Sequence, residues 1–325
     1  MILHQLSPDK CEENKRRPWN NKCSFSFATS CPDAVWIEEY YQKHRMEGEE
    51  FVAVYVGCNK GMDAVNALRM GSVDAAVDKH QWQKSFYEGS EVEKGVCGQE
   101  SSAQYPLEGI TSSSLLQSAA VHCLEAMPLT AAHLQATAAK FPWSDRFAIT
   151  NAAISSSDGF IGFLKAAVGN EKTRMCQKQE PGCQQVPMLS LDTYMKEKQS
   201  LTPSSSKIDL LSIDIEGNDA EVILAGSSET LQRVRYLEFE YNWKAQWAKR
   251  PLQDVITSLE NQGFVCYWPG VSGRIWRISG CWLDHYDLKF WSNVACVHPG
   301  RHPTVASRME ELFRETLKMG HSIQY

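Results

Sequence analysis

The segment "KIDLLSIDIEGND", residues 207–219, sets Asp214 and Glu216 two residues apart. If the strand that starts near Ile208 runs through them, both carboxylates share one face. Burying a carboxylate is unfavourable unless it is paired, so two of them at a strand end, followed by Gly217, point to chemistry. A carboxylate in hydrogen-bond reach of a hydroxyl can take its proton, which typically contributes about 10² to 10⁴-fold in rate. The next apolar run, "VRYLEFEYNW", adds Glu238 and Glu240 at strand spacing. The competing structural account has Asn218 or Asp219 capping a helix and the carboxylates paired with Arg233 or Arg235. His285, in "CWLDHYDLKFW", is a further candidate base; a lone histidine is also commonly a packed or surface residue. Asp214, Glu216 and Glu240 are conceivable ligands for a divalent ion, but no spacing demands one and no metal site is expected. "CVHPGRH" offers Cys296, His298 and His302 without a second ligand pair, which reads better as a strand end and turn.

A second candidate site lies upstream, in "FVAVYVGCNKG", residues 51–61. An apolar run breaks on glycine and enters a helical pattern. Gly57 allows a sharp turn, and Gly61 allows close backbone approach at the start of the helix. The spacing is G-x-N-x-G, not the G-x-G-x-x-G of a dinucleotide site. A loop of this form, here Gly57, Cys58, Asn59 and Gly61, more often wraps the amino-acid end of S-adenosylmethionine; the plain alternative is a glycine turn. In an α/β sheet, ligands sit beyond the carboxyl ends of the strands. The next strand should then end in an acid that accepts from both ribose hydroxyls. "AVHCLEAMP" supplies Glu125, 64 residues after Gly61, and Asp78 is the competitor at a shorter distance. The third run, "FAITNAAISSSDG", ends in Asn151 and Ala152, small and polar enough for an adenine edge or equally for a packed strand end.

These groups need a scaffold. Short apolar runs bounded by Gly, Pro or Asp alternate with helical patterns such as "LTAAHLQATAAKF" and "PLQDVITSLENQG". That alternation describes buried strands in an α/β chain with a mainly parallel sheet. The last two runs, "GFVCYWPG" and "WSNVACVHPG", have no helix between them and suit an antiparallel pair. Residues 1–45 form an N-terminal extension, with a short amphipathic helix near "PDAVWIEEYYQKHR"; residues 46–325 form the main domain, with 81–120 as an insertion.

Composition narrows the classes further. A net charge of −6 argues against a nucleic-acid binder. No apolar run approaches the roughly 18 residues of a membrane span, so no membrane insertion is expected. The first residues hold no apolar signal core, which leaves the cytosol, or a secretory lumen if a signal or anchor precedes this sequence. Of the eleven cysteines, Cys58, Cys123, Cys266 and Cys296 read as buried small hydrophobes. Cys11, Cys23, Cys31, Cys176 and Cys183, in polar sequence, are the disulfide candidates. Trp268, Trp276 and Trp282, in the Gly-punctuated "YWPGVSGRIWRISGCW", suit a wall for the C–H faces of a sugar, or ordinary core packing.

Taken together, "IDLLSIDIEGNDAEVILAGSSETLQRVRYLEFE", "VGCNKG", "LEAMP", "NAAISSSDG" and "VPMLSLDTYM" resemble the FkbM family of S-adenosylmethionine-dependent methyltransferases over about residues 50–297. The resemblance implies a class I methyltransferase, Rossmann-like fold: a doubly wound seven-stranded sheet with its last strand antiparallel. It implies O-methyl transfer to a sugar, glycan or hydroxylated natural product, with S-adenosyl-L-methionine as cofactor and a small-molecule or glycan acceptor as partner. Gly57, Cys58, Asn59 and Gly61 would surround the methionine end, Glu125 the ribose, and Asn151 and Ala152 the adenine. Asp214, Glu216 and Glu240 would face the reacting centre, with Asp214 also near the cofactor. One position departs from the family: Tyr55 stands where it usually has Asp. A catalytically inactive relative that binds a glycan or partner protein is therefore the alternative.

Overall fold

The computed structural model describes residues 50–89, 91–93, 104, 107, 118–171, 173–198, 207–270, 273–280, 282, 284–287, 289 and 291–319. The N-terminal extension, Cys11, Cys23 and Cys31, and most of the 81–120 stretch lie outside them. The chain divides into two units. The larger runs to Glu216 and takes in Glu221–Arg233; the smaller holds Gly217–Ala220 and the chain from Val234 onward.

In the larger unit, β1 (Phe51–Val56) is followed by α1 (Met62–Ser72) and α2 (Lys79–Tyr87). Then come β2 (Ala119–Glu125), α3 (Pro128–Ala138) and β3 (Phe147–Asn151). Phe51, Val52, Ala53, Val54 and Val56 are all buried, as expected of a strand covered on both faces. β1 pairs in parallel with β2 on one side and with β7 (Ile208–Ile213) on the other, and β2 pairs in parallel with β3. The order β7-β1-β2-β3 puts four carboxyl ends at one edge. The expected mainly parallel α/β sheet is present here. The run "FAITNAAIS" is not one strand. It leaves the ladder at Ala152, and β4 (Ala153–Ser155) joins a separate three-stranded sheet with β5 (Gly159–Leu164) and β6 (Cys183–Ser190), in the order β4-β6-β5. α4 (Leu191–Glu197) follows, capped by Ser190, whose hydroxyl accepts from Thr193 N–H.

The smaller unit contains β8 (Val234–Tyr241), α5 (Leu252–Asn261), β9 (Val265–Pro269), β10 (Ile275–Arg277), β11 (Ser292–Val297) and α6 (Pro303–Met319). β11 runs antiparallel to both β8 and β9, so the last two apolar runs do pair antiparallel as expected. The two ladders hold eight strands, four in each unit, rather than seven. The additional strand is β10, which folds back on β9. It comes from the Gly-punctuated stretch expected to form a sugar-binding wall. Trp268 and Trp276 are instead buried in that hairpin, and Trp268 Nε1 donates to the Tyr286 carbonyl at 3.2 Å. Among the described residues Trp243 is an exposed indole, at 55%.

The cysteine expectations need correction. Cys58, Cys123, Cys266 and Cys296 are disulfide-bonded, as Cys58–Cys123 and Cys266–Cys296; Cys176–Cys183 forms from the expected group. Cys266 and Cys296 are direct register partners on β9 and β11, with Cα atoms 4.0 Å apart. Strand register decides that pairing, and composition does not report it. The bond also removes the Cys296 thiolate as a metal ligand. Among the described residues no helix is long and apolar enough to cross a membrane.

The amphipathic α6 docks through a buried polar knot. Glu310 Oε2 accepts from Arg277 Nη1 at 3.2 Å and from the Tyr267 hydroxyl at 3.2 Å, all three side chains being nearly inaccessible. Burial and the adjacent Glu310 charge hold the Tyr267 hydroxyl protonated, its pKa well above the usual range. Glu310→Ala would strand the Arg277 charge, and urea unfolding is expected to show a loss of about 3–5 kcal/mol. Arg277→Met combined with Glu310→Leu should recover most of that loss. A double variant no more stable than Glu310→Ala would count against the knot as the cause.

Candidate active site

The site is built at the carboxyl ends of β7, β1, β2 and β3. β1 stops at Val56 because Gly57 adopts φ +85°. A Cβ on Gly57 would lie 1.7 Å from the Asp214 carbonyl oxygen, which only glycine avoids. Asn59, at φ +47°, and Gly61, at φ +73°, are also left-handed, and Gly61 caps α1. The turn curls over β2: Gly57 N–H and Cys58 N–H both reach the Leu124 carbonyl at 3.0 Å. Cys58 thereby lands over Cys123, with 5.3 Å between their Cα atoms, and the disulfide closes.

Glu125 is the joint of the site. It is 6% exposed, and its two oxygens accept from two backbone segments. Asn59 N–H donates to Oε2 at 2.8 Å, and Met127 N–H donates to Oε1 at 2.7 Å. Burial raises its pKa above the usual carboxylate value, while these two N–H groups and the Lys60 charge act against the shift. Asn151, the register partner of Glu125 on β3, donates its amide to the carbonyls of Glu125 and Ala126 at 2.9 and 3.0 Å. Ala152 is buried beside it in sequence. Asp78, the competing acid, caps α2 by accepting from His80 and Gln81 N–H, so its carboxylate is engaged away from this role.

Two further residues position the loop. Trp82 packs among Phe86, Phe141, Trp143 and Phe147, and its Nε1 donates to the Lys60 carbonyl at 2.8 Å. The buried Lys60 ammonium reaches Glu171 at 2.7 Å and the Gly169 carbonyl at 3.2 Å. Sequence reasoning missed Lys60, because a lysine in a loop carries no sign of burial. It also missed the Cys58–Cys123 pairing. A signal for that bond existed: one cysteine just past the end of one predicted strand and another near the end of its predicted neighbour.

Asp214 and Glu216 are not carried by strand periodicity. β7 ends at Ile213, and Glu216 is left-handed at φ +57°, so the same-face argument fails for lack of extended backbone. Asp214 is nonetheless held against the loop, through its N–H to the Val56 carbonyl at 2.8 Å and its carbonyl behind Gly57. The Asp214 residue is exposed and Glu216 half-buried. The larger unit therefore brings together Gly57, Cys58, Asn59, Gly61, Glu125, Asn151, Ala152 and Asp214, with Glu216 adjoining. Glu240 and His285 belong to the smaller unit. Glu240 is 2% exposed and its carboxylate accepts from Asn242 Nδ2 at 2.7 Å. Near it in sequence, Trp247 Nε1 donates to the Glu240 carbonyl at 2.9 Å and to Asp219 at 3.3 Å. His285 falls in the turn Asp284–Tyr286, with its side chain outside the described part. Among the described residues no group of three or more His, Cys, Asp or Glu side chains is arranged to hold a metal ion.

One orphaned atom tests whether S-adenosylmethionine fits here. The Asn59 side-chain oxygen is buried and, among the described residues, has no hydrogen-bond partner. It lies in the loop expected to meet the cofactor's amino-acid end, whose ammonium is a donor. The residues present fit the group.

Residues 115–266 match the sequence model of the methyltransferase FkbM domain. The match contains Glu125, Asn151, Ala152, Asp214, Glu216 and Glu240, and stops short of the glycine loop and His285. It shows the FkbM resemblance over that stretch and points to a methyltransferase. No curated protein and no solved structure was found to match the chain.

Gly57→Ala is expected to destabilise the protein by at least about 2 kcal/mol in urea unfolding. Left-handed backbone costs a residue with a Cβ roughly 1–2 kcal/mol, and overpacking adds about 1–3. A loss under about 0.5 kcal/mol, the size of an ordinary surface change, would mean the loop does not back onto Asp214.

Proposed function

We propose that this protein is an S-adenosylmethionine-dependent O-methyltransferase acting on a hydroxyl of a sugar, glycan or hydroxylated natural product. The observation that carries the proposal is the Glu125 carboxylate, held by one N–H from the glycine loop and one from its own strand end. Each oxygen of an ionised carboxylate has two acceptor directions, so this anchoring leaves capacity for two ribose hydroxyls. Asn151 spends its amide N–H₂ on the backbone, which leaves its oxygen for the exocyclic amine of an adenine. The Asn59 oxygen offers an acceptor for the ammonium. β11, the last of the described strands and antiparallel to both neighbours, supports the class I methyltransferase fold. The FkbM match favours this reading over an inactive relative.

When bound, the cofactor would supply the activated methyl group. The protein's share is to orient the acceptor and relieve its hydroxyl of a proton. Asp214 is the first candidate for that proton, being exposed and fixed by its backbone beside the loop. Glu216, two residues further, is the second.

Calorimetric titration with S-adenosylhomocysteine, with NAD as control, tests the cofactor. Glu125→Ala should weaken binding by about 1.5–3 kcal/mol, the range for a charged hydrogen bond. The raised pKa gives this site a pH signature. Ionised Glu125 is the ribose acceptor, so affinity should fall as pH drops through a value above the ordinary 4.5. The stability contribution runs the opposite way: it is fully present below the unfolded-state pKa and lost as pH rises through the folded one. Glu125→Gln should flatten both curves; parallel pH profiles in parent and variant would remove Glu125 from the cofactor site.

Methyl transfer is followed with methyl-labelled S-adenosylmethionine and a panel of sugars and glycans, alkaline treatment separating ethers from esters. Asp214→Asn or Glu216→Gln should retain cofactor binding and lose at least about 10²-fold in transfer, the lower end for a general base. Full activity in both would leave these carboxylates structural.

A further inference from the structure

The glycine loop and β2 are joined four times over a few residues. Gly57 N–H and Cys58 N–H reach the Leu124 carbonyl, Asn59 N–H reaches the Glu125 carboxylate, and the Cys58–Cys123 bond links the same segments covalently. Only the covalent link can be broken by a change of redox state. Cys123 is fully buried and Cys58 half-buried, so a reductant approaches from the loop.

We propose that Cys58–Cys123 is a thiol-sensitive clamp on the cofactor loop, so that cofactor binding and reduction of this bond oppose each other. The inference rests on the cofactor reading above and deepens it. Its physical basis is spacing. Bonded sulfurs sit about 2 Å apart, whereas two thiols must separate to van der Waals contact, roughly 3.5–4 Å. Cys123 lies in a close-packed strand, so the loop is the part that gives. That loop turns through left-handed backbone at Gly57, Asn59 and Gly61, and glycine has many other conformations open to it once a restraint is released. Its displacement draws Asn59 N–H away from Glu125 and takes the ammonium and ribose acceptors out of register.

The step balances with a dithiol as reductant. One dithiol sulfur, as thiolate, attacks Cys58 Sγ; the bond to Cys123 breaks, and Cys123 leaves as a thiolate that takes up a proton. The second dithiol sulfur attacks the mixed disulfide, releasing the Cys58 thiol and the cyclic oxidised reductant. Two electrons pass from dithiol to cystine. By linkage, whatever binds only the clamped form slows this exchange.

The test uses the full chain in its oxidised form. Peptide mapping after alkylation follows each disulfide separately, and calorimetry reads S-adenosylhomocysteine affinity before reduction with dithiothreitol, after it, and after reoxidation. Affinity should fall at least tenfold once Cys58 and Cys123 become alkylatable, and return on reoxidation. Cys176→Ser with Cys183→Ser should respond as the parent does. If reduction unfolds the chain, protection in the oxidised protein decides. At ligand near 100 times Kd, reduction of Cys58–Cys123 should slow by up to about 100-fold, while Cys176–Cys183 is reduced at an unchanged rate. Unchanged affinity after reduction, equal slowing of both bonds, or free Cys58 and Cys123 thiols in the starting protein would each overturn the clamp. An oxidised parent that binds no S-adenosylhomocysteine would overturn the cofactor reading itself, a result distinct from binding that ignores redox state.

Discussion

The candidate site depends on one buried carboxylate. Glu125 takes an N–H from the loop after β1 and an N–H from its own turn. Asn59 adopts a left-handed conformation, which asparagine reaches more readily than other residues with a side chain. Its N–H bond to the Glu125 carboxylate adds about 1.5–3 kcal/mol while that group is charged. Burial pushes the group toward neutrality, so the charge that strengthens this bond varies with pH.

Around this joint the supports come from residues of quite different character. Trp82 sits in an aromatic cluster and holds the loop by a single indole N–H. The buried Lys60 ammonium pairs with the half-buried Glu171 and donates to the Gly169 carbonyl. Asn151 ties the end of β3 to the turn after β2. The Asp214 backbone is held against the loop, because Gly57 leaves room for its carbonyl, and the residue is exposed.

Carboxylates of similar appearance in sequence have different fates. Glu238 accepts from Asn293 and from the Tyr236 hydroxyl, and Glu240 from Asn242; Asp219 receives Gly217 N–H and the Trp247 indole. Glu240 and Asp219 are buried and hydrogen-bonded within the smaller unit, and Glu238 is half-buried there. Asp214 is exposed beside a glycine turn. Burial distinguishes it from Glu240 and Asp219, and residue type does not.

The sequence by itself determined the parallel α/β ladder, because fully apolar runs between amphipathic helices have no other stable arrangement. It determined the break at Gly57 and Gly61, since only glycine meets those backbone demands cheaply, and it marked Glu125 as an acid at the end of an apolar strand. Tertiary structure alone decided the rest. Register made a cystine of Cys266 and Cys296, and the curl of the glycine loop over β2 made one of Cys58 and Cys123. Chain reversal turned "YWPGVSGRIWR" into a hairpin with its tryptophans inside. The left-handed turn at Glu216 cancelled the alternation that local pattern extended through Asp214. Each of these rests on contacts between residues distant in sequence, or on a backbone turn that such contacts enforce, and side-chain periodicity carries no information about either.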